Sequence, residues 1–399
     1  MSDKKEYVMS RFQEAYSALN GLYSKMLDSN NYYASQQWTD KDARNSRAKN
    51  IKPSVYNFVK KNVDVLIGIQ RQSRAALKVL PEETGDNDSA GIANILLHHS
   101  MRKGNGYMAS SQGMKDQVIG GLGWLSPFID FSRDPKNGDL RVVCESPFDI
   151  WFDPGTKEMD LSDCNYIIKR KPVHKNVAKL AYPKFAQQIE ESKADYKADY
   201  YVLEDSNLKD KCLVYELWER KIEPFYNVFI GGKEIELTEE AYTQSIADIE
   251  IARVSDPNFA EMRFSRAVMK LTILVNDITV YDGNSFYKGN FYPFIPIWGF
   301  YNRSAENWSI KVEGIIEALK DSQMEYNKTR SSITHHMLSS IHSGWIMDKN
   351  AVDDIRVLTK GMSSPVIQRN PGKTIERIQT PSLPDDCDYE PSFGSNLCL

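Results

Sequence analysis

The chain has 399 residues and 41% of them are hydrophobic, which is enough for more than one core because domains commonly run to about 100–200 residues. Lysine and arginine (50) nearly balance aspartate and glutamate (54), and the net charge of -4 excludes a general electrostatic attraction to nucleic acid or anionic lipid. Neither a secretion signal, nor an apolar span of about eighteen residues, nor paired cysteine spacing is found, so an intracellular protein without membrane contact is expected.

The first third of the chain is predicted to be helical. Apolar residues spaced by three and four predict a long amphipathic helix over 4–29. A second helix is predicted over 51–80, opening with Pro53 near its first turn and changing into a strand near Ala75. Two shorter helices are predicted at 89–99 and 104–120.

After Gly123 the apolar period changes to two, which predicts strands. Segments 124–131, 140–144, 149–153 and 164–170 are expected to form one antiparallel sheet. Strand patterns return at 212–221, 226–230 and 269–281, with helical patterns at 176–185 and 238–253. Two prolines in 291–300 favour an extended segment. Together these elements predict an α+β fold.

Residues 308–341 form the most informative segment. They contain no proline, and their apolar residues predict one helix of roughly 30 residues, about 45 Å long. The region from 344 onward is predicted to consist of short strands and loops.

The motifs of the chain favour a protein that is not an enzyme. No common phosphate-binding, hydrolase or zinc-protease signature is present, so no cofactor, metal or catalytic residue is predicted. The enzymatic alternative is a metal-dependent nuclease that uses Glu219 and Lys221 at a strand end with Asp205 or Asp210. The preferred interpretation is that these charges decorate an exposed strand.

Six aspartates could be considered for acid/base work. Each lies within two residues of a proline, glycine or serine, so capping of turns is the preferred interpretation. They are Asp130, Asp134, Asp149, Asp153, Asp160 and Asp163.

Several stretches, in a fixed order over roughly residues 10 to 345, resemble portal proteins of short-tailed bacteriophages. The resemblance rests on Gln37-Trp38, IGIQRQ (67–72), AALKVLP (75–81), DQVIGGLGWL (116–125), SPFDIWFDPGTKEMDLSDC (146–164), YELWE (215–219), PFIPIWG (293–299) and EGIIEALKDSQMEYNKTR (313–330).

The resemblance implies a portal fold made of a wing, a stem and a clip. Residues 1–307 resemble the wing (helical over 1–120, mainly β over 121–307), 308–341 the first stem helix and 342–399 the clip with a divergent end. A second stem helix, a crown and a barrel normally follow in this family, and we expect them to be missing from a chain shortened at its C-terminus.

The same resemblance implies a structural role in the virion. Portal subunits form a ring, of about twelve copies, at one capsid vertex, through which DNA is packaged and ejected. The expected partners are further copies of the chain, the terminase large subunit, a tail adaptor, capsid and scaffolding proteins, and transient non-specific DNA. Assembly would take place in the host cytoplasm. Another minor virion protein is the remaining alternative.

Candidate residues follow from these assignments. Stem packing between subunits is expected from Ile315, Ile316, Leu319, Tyr326 and Ile333. Weak contacts with DNA phosphates are expected from Lys311, Lys320, Lys328 and Arg330, for which solvated ion pairing is an equally good interpretation. Binding of the motor and adaptor by the clip is expected from Trp345, Lys349, Arg356, Lys360 and Arg369.

Overall fold

The computed structural model describes residues 2–73, 77–132, 134–192, 210–230, 232–256, 259–287, 289–341, 345–352 and 370–377. Of these residues 47% are helical and 27% lie in strands, which confirms the α+β class. The chain divides into two compact units: unit 1 comprises Met1–Tyr33 and Lys61–Ala318, and unit 2 comprises Ala34–Lys60 and Leu319–Leu399.

The helices lie mainly in the first third of the chain and near its end. They are α1 (Ser2–Tyr33), α2 (Asp40–Ala48), α3 (Phe58–Gln72), α4 (Asn87–Arg102), α5 (Gly106–Gly120), α6 (Lys175–Ala181), α7 (Ala186–Glu191), α8 (Glu239–Gln244), α9 (Ile246–Ser255), α10 (Trp308–Lys311) and α11 (Ile315–Ile341).

Helix α1 forms one side of the core of unit 1. Its predicted apolar stripe is confirmed, since the residues from Val8 to Met26 at helical spacing are almost completely buried. Trp151 packs against this stripe, with its ring 5.3 Å from Phe12 and 4.5 Å from Tyr23, measured between ring centroids. The long helix is therefore held by aromatic contacts with the sheet beneath it.

The strands are β1 (Leu122–Asp130), β2 (Asp139–Glu145), β3 (Ile150–Phe152), β4 (Tyr166–His174), β5 (Lys211–Ile230), β6 (Lys233–Thr238), β7 (Ala260–Val275), β8 (Ile278–Asn284), β9 (Ile295–Trp298), β10 (Phe300–Tyr301), β11 (Val312–Glu313), β12 (Trp345–Met347) and β13 (Ile375–Arg377). The larger sheet of unit 1 has the order β3-β4-β5-β7-β8, with β6 paired to β5. The smaller sheet has the order β2-β1-β9.

The prediction that the first four strands share one sheet is wrong. Strands β1 and β2 pair with each other in the smaller sheet, and β3 and β4 belong to the larger one. The second neighbour of β1 is the proline-containing strand β9, in which Leu122 lies opposite Trp298. The segment 146–149, with a short 3-10 turn, links the two sheets.

Three predicted boundaries also change. The predicted strands 212–221 and 226–230 are one strand, β5, and the predicted strand 269–281 is divided by a turn at Asn276. The predicted helix 238–253 begins after β6 and is split into α8 and α9, with the Thr238 hydroxyl accepting from the Ala241 N–H at the start.

The predicted helix 51–80 begins only at Phe58, because residues 51–57 are extended. The strand predicted near Ala75 lies outside the described residues. In unit 2 the described elements are α2, this extended segment, α11 from Leu319 onward, and the antiparallel pair β12 and β13, in which Ile346 lies opposite Glu376.

Candidate functional site

Helix α11 begins at Ile315, seven residues later than the sequence predicted. Residues 308–311 form a single turn, capped by the Asn307 side chain, which accepts from the Ser309 N–H. Val312 then pairs with Tyr301 in a strand, and α11 begins at Ile315. The prediction of one unbroken helix from Trp308 is therefore wrong, although 27 residues remain continuous.

The break before α11 has a steric cause. A side chain on Gly314 would come within 2.5 Å of the Ile119 carbonyl oxygen, and one on Gly121 within 2.7 Å of the Glu313 carbonyl carbon. Gly121 also has φ +94, a conformation that favours glycine. Two glycines thus allow the chain to pass close to the end of α5 before the helix starts.

One face of α11 carries a polar ladder, which we define as Gln323, Asn327 and Ser331. All three side chains are at least 97% buried, although they are polar. They are spaced four residues apart and therefore lie one above the other on the same face. Buried polar groups need hydrogen-bond partners, so this face must contact other polar groups.

The partner of the polar ladder is the extended segment before α3. The Gln323 side chain accepts from the Phe58 N–H at 3.1 Å and donates to the Tyr56 carbonyl oxygen at 2.7 Å. Asn327 accepts from the Tyr56 N–H at 2.9 Å, and Ser331 accepts from the Ser54 N–H at 3.1 Å. The ladder therefore supplies the backbone partners that a neighbouring strand would give.

Gln37 and Trp38 stabilise the same assembly from the other direction. The Asn327 amide donates to Gln37 Oε1 at 2.6 Å, and Trp38 Nε1 donates to the Ser54 carbonyl oxygen at 3.0 Å. This gives a structural reason for the Gln-Trp pair that contributed to the family resemblance. Sequence reasoning missed Asn327 and Ser331, although three polar residues at a spacing of four were the available signal.

Apolar contacts flank the ladder. The Tyr326 ring lies edge-on to Phe58 at 5.0 Å and to Tyr56 at 6.0 Å between centroids. Ile316 is fully buried, while Ile315, Leu319 and Ile333 are half-buried. Two of the five residues predicted to pack between subunits, Ile316 and Tyr326, thus have their packing within the chain.

Near its end α11 exposes a different apolar pair. Met337 is 55% and Leu338 is 54% exposed.

The predicted DNA-contacting residues are in different environments. Lys328 Nζ lies 3.5 Å from Asp42 Oδ1, and the Arg330 guanidinium lies about 6 Å from the ring centroids of Tyr56 and Tyr326. Lys320 is half-buried. Their DNA-binding role stays a prediction.

Lys311 is not on α11, so its predicted placement on the stem helix is wrong. Its side chain is 5% exposed, and Nζ donates to the Thr156 carbonyl oxygen at 3.2 Å. The ammonium lies 4.2 Å from the Trp308 ring centroid, and burial lowers the pKa of Lys311. This lysine is part of the core rather than a surface.

The predicted clip residues are described only in part. The backbone of Trp345 begins β12, and Lys349 is exposed in the following turn. Asp348 fixes that turn, since its Oδ2 accepts from the Thr374 N–H at 2.7 Å. Arg356, Lys360 and Arg369 lie outside the described residues.

The geometry does not support the nuclease alternative. Glu219 is 7% exposed, accepts from the Tyr7 hydroxyl, and has Oε2 3.3 Å from Lys221 Nζ. Asp210 precedes Glu219 by nine residues of extended chain, roughly 30 Å, so the two cannot share a metal ion. Asp205 lies outside the described residues, and within the described ranges no group of three metal-ligating side chains is found.

The predicted turn-capping role of the aspartates is confirmed for five of the six. The side chains of Asp130, Asp134, Asp153, Asp160 and Asp163 each accept from at least one backbone N–H within six residues. Asp149 is the exception, because it is 4% exposed and its Oδ1 has no hydrogen-bond partner.

None of the described helices combines the length and the apolar character that crossing a bilayer requires.

The sequence is similar to known proteins over most of its length. The sequence profile of the family "Phage P22-like portal protein" matches residues 9–386. The "Portal protein" of Acyrthosiphon pisum secondary endosymbiont phage 1 is 24% identical over 361 residues, which cover 82% of this chain and 46% of that protein. The chain thus spans about half the length of this curated relative. Because the profile match extends over most of the sequence, the chain belongs to the phage P22-like portal protein family.

Proposed function

We propose that this chain is a portal subunit that assembles into a ring at one capsid vertex, through which DNA passes during packaging and ejection. The family match over residues 9–386 is the observation that carries the proposal. The role is structural and involves no turnover. The 27-residue helix α11 is long enough, at about 40 Å, to form part of a channel wall when copies stand side by side.

The domain assignments follow in corrected form. Residues 1–307 would form the wing, α11 from Ile315 the stem, and the region from β12 to β13 with the flanking residues the clip. The short turn 308–311 and Val312 are built into the core of unit 1, so we assign them to the wing.

A DNA conduit must not bind its cargo firmly. Each lysine or arginine that contacts a phosphate adds affinity that depends on salt and slows sliding. The ion pair with Asp42 reduces the free positive charge of Lys328, and the Arg330 guanidinium lies against two tyrosine rings. We therefore propose that contacts with DNA through Lys320, Lys328 and Arg330 are weak and transient.

The remaining partners belong to virion assembly. We propose that the clip, including Trp345, Lys349, Arg356, Lys360 and Arg369, binds the terminase large subunit and later a tail adaptor. Capsid and scaffolding proteins would contact the wing. Assembly would occur in the host cytoplasm and the product would be part of the virion.

For contacts between subunits we propose the half-buried Ile315, Leu319 and Ile333, together with Met337 and Leu338. The last two are the strongest candidates because more than half of each side chain is exposed. A glutamate at position 338 would place a charge in a dry interface, which costs several kcal/mol unless the charge is paired.

Light scattering with negative-stain microscopy tests the proposal. We expect a species of roughly 0.5 MDa, about twelve chains of 45.6 kDa, with ring-shaped particles. Leu338→Glu should shift the mass to smaller species. Thr329→Glu is the matched control, because Thr329 is exposed and nine residues away, on the opposite side of the helix. A mass of one chain at every concentration, or equal damage by both variants, would contradict the proposal.

A further inference from the structure

Unit 1 contains a polar cleft that the proposed portal function does not use. Its volume is about 440 Å³, and it lies between α1, α5 and the linker that joins the two sheets. Asn30 comes from α1, Asp116 from α5, Glu145 from the end of β2, Asp149 from the linker and Lys171 from β4. The volume is within the usual range for sites that hold a small ligand.

The carboxylates of the cleft are unequally neutralised. Glu145 has two cationic partners, with Lys169 Nζ at 2.6 Å and Lys171 Nζ at 3.7 Å. Asp116 has only the Cys144 thiol, 3.5 Å from its Oδ2. Asp149 is 96% buried and its Oδ1 has no hydrogen bond. Within the described part of the chain, neither aspartate forms an ion pair.

The other charged groups around the cleft act on the two aspartates without forming an ion pair with them in the described part of the chain. Lys115 Nζ lies 4.6 Å from the Tyr33 ring centroid, and the Arg170 guanidinium lies 5.3 Å from that of Phe12. Burial raises the pKa of both aspartates by more than the charge of Lys115 lowers that of Asp116 and the charges of Lys171, Lys169 and Arg170 lower that of Asp149. Glu216, opposite Lys169 on β5, adds a further carboxylate to the same environment. The unsatisfied groups of the cleft are therefore the two aspartates, above all the buried Asp149 Oδ1, rather than an excess of charge.

Both aspartates of the cleft are harder to ionise than an aspartate in water. Burial raises the pKa of Asp116 to about 6 and that of Asp149 to about 7. Burial and the neighbouring Asp116 also raise the pKa of the Cys144 thiol, so this cysteine contributes no charge at neutral pH. A cation between the aspartates would stabilise their ionised forms.

We propose that the cleft binds an organic cation, an alkylammonium or guanidinium group, held between Asp116 and Asp149. The carbonyl oxygen of the Asn30 side chain is available as an acceptor, since its amide nitrogen donates to the Met26 carbonyl oxygen. Phe148 lines the same space and adds an aromatic surface, which favours organic cations. Three clustered metal ligands are not found in the described ranges, so a metal ion is a poorer fit.

The cation could come from a free diamine or from a basic side chain of a neighbouring protein, and its binding does not depend on ring assembly. Calorimetric titration of the full chain with 1,4-diaminobutane at about pH 8 tests the site. We expect saturable binding that weakens at least tenfold in both Asp116→Asn and Asp149→Asn. The control Asp134→Asn changes a half-buried turn residue that does not line the cleft, and it should bind like the wild type.

The two sources are distinguished by repeating the titration above the concentration at which the chain associates. A neighbour's side chain in the cleft would block the diamine there, whereas a free ligand site would bind it equally well in both states. Circular dichroism checks the fold of each variant. If Asp149→Asn does not fold, the titration of Asp116→Asn alone tests the proposal. Absence of heat in the wild type at both concentrations, or unchanged binding by folded Asp116→Asn, would overturn the proposal.

Discussion

The polar ladder gives the sharpest test of the structure, through the replacement Asn327→Ala. Asn327 is fully buried and forms hydrogen bonds with the Tyr56 N–H, Gln323 and Gln37. The Tyr56 N–H lies against the fully buried Asn327 side chain, and leaving it without that partner costs about 1–3 kcal/mol. Gln323 and Gln37 can move to other partners, so the loss of each of their hydrogen bonds adds only roughly 0.5 kcal/mol. The extended segment should therefore be destabilised by about 3 kcal/mol.

Hydrogen exchange followed by mass spectrometry measures this effect locally. If the Tyr56 amide exchanges through local opening, about 3 kcal/mol corresponds to roughly 100-fold faster exchange in peptides that cover 54–58. Thr329→Ala, an exposed position on the same helix, is the control and should leave the rate unchanged. If the exchange rate in Asn327→Ala stays within about threefold of the wild-type rate, the polar ladder does not stabilise this segment.

Three further predictions concern unit 1. Trp308→Ala removes a buried ring whose centroid is 4.9 Å from that of Phe152, and urea denaturation should show a loss of about 3–5 kcal/mol. Gly121→Ala should cost at least about 1 kcal/mol, because the new Cβ would lie 2.7 Å from the Glu313 carbonyl carbon at φ +94; an unchanged midpoint would contradict this. The folded chain keeps a proton on Asp149 up to about pH 7, while the unfolded chain releases it near pH 3.8, so stability should fall as the pH rises through this window. The stability of Asp149→Asn, measured by urea denaturation over the same pH range, should not show this fall.

Local periodicity predicted the elements whose burial is set by their own sequence. The apolar stripe of α1 was correct to within a few residues, because its spacing alone fixes the buried face. The end of α5 was also correct, because the apolar period changes to two just after it. The division of the strands into two sheets could not be predicted. An alternating pattern shows which face of a strand is buried but not which strand is its neighbour, and β9 follows β1 by more than 160 residues.

The length of β5 was underestimated, since two strands were predicted on either side of a gap that contains Pro224. Strand β4 pairs with β5 as far as Glu219, and β6 pairs with it from Phe225 onward. From Arg220 to Pro224 neither β4 nor β6 pairs with β5, while β7 continues along the other edge, with Ser265 opposite Pro224. A proline is tolerated in a strand where its missing N–H has no partner to lose, and this depends on distant strands.

Of the candidate site, helix α11 itself was predicted, but the polar ladder and the segment that covers it were not. The existence of α11 followed from its composition, but its first residue depends on contacts of Gly314 and Val312 that are distant in sequence. The burial of Tyr326 against Phe58 could not be derived either, because the covering segment had been predicted as the start of a helix.

The regular spacing of the polar ladder restricts how this part of the chain can evolve. A single residue inserted between Gln323 and Ser331 would turn everything beyond it by about 100° around the helix axis and carry the Ser331 hydroxyl away from the Ser54 amide. A deletion would have the same effect in the opposite sense. A change of about seven residues, two full turns, restores the rotation but moves Ser331 by roughly 10 Å along the helix axis, so it does not restore the contact either. Homologues should therefore tolerate substitutions along α11 far better than changes in its length.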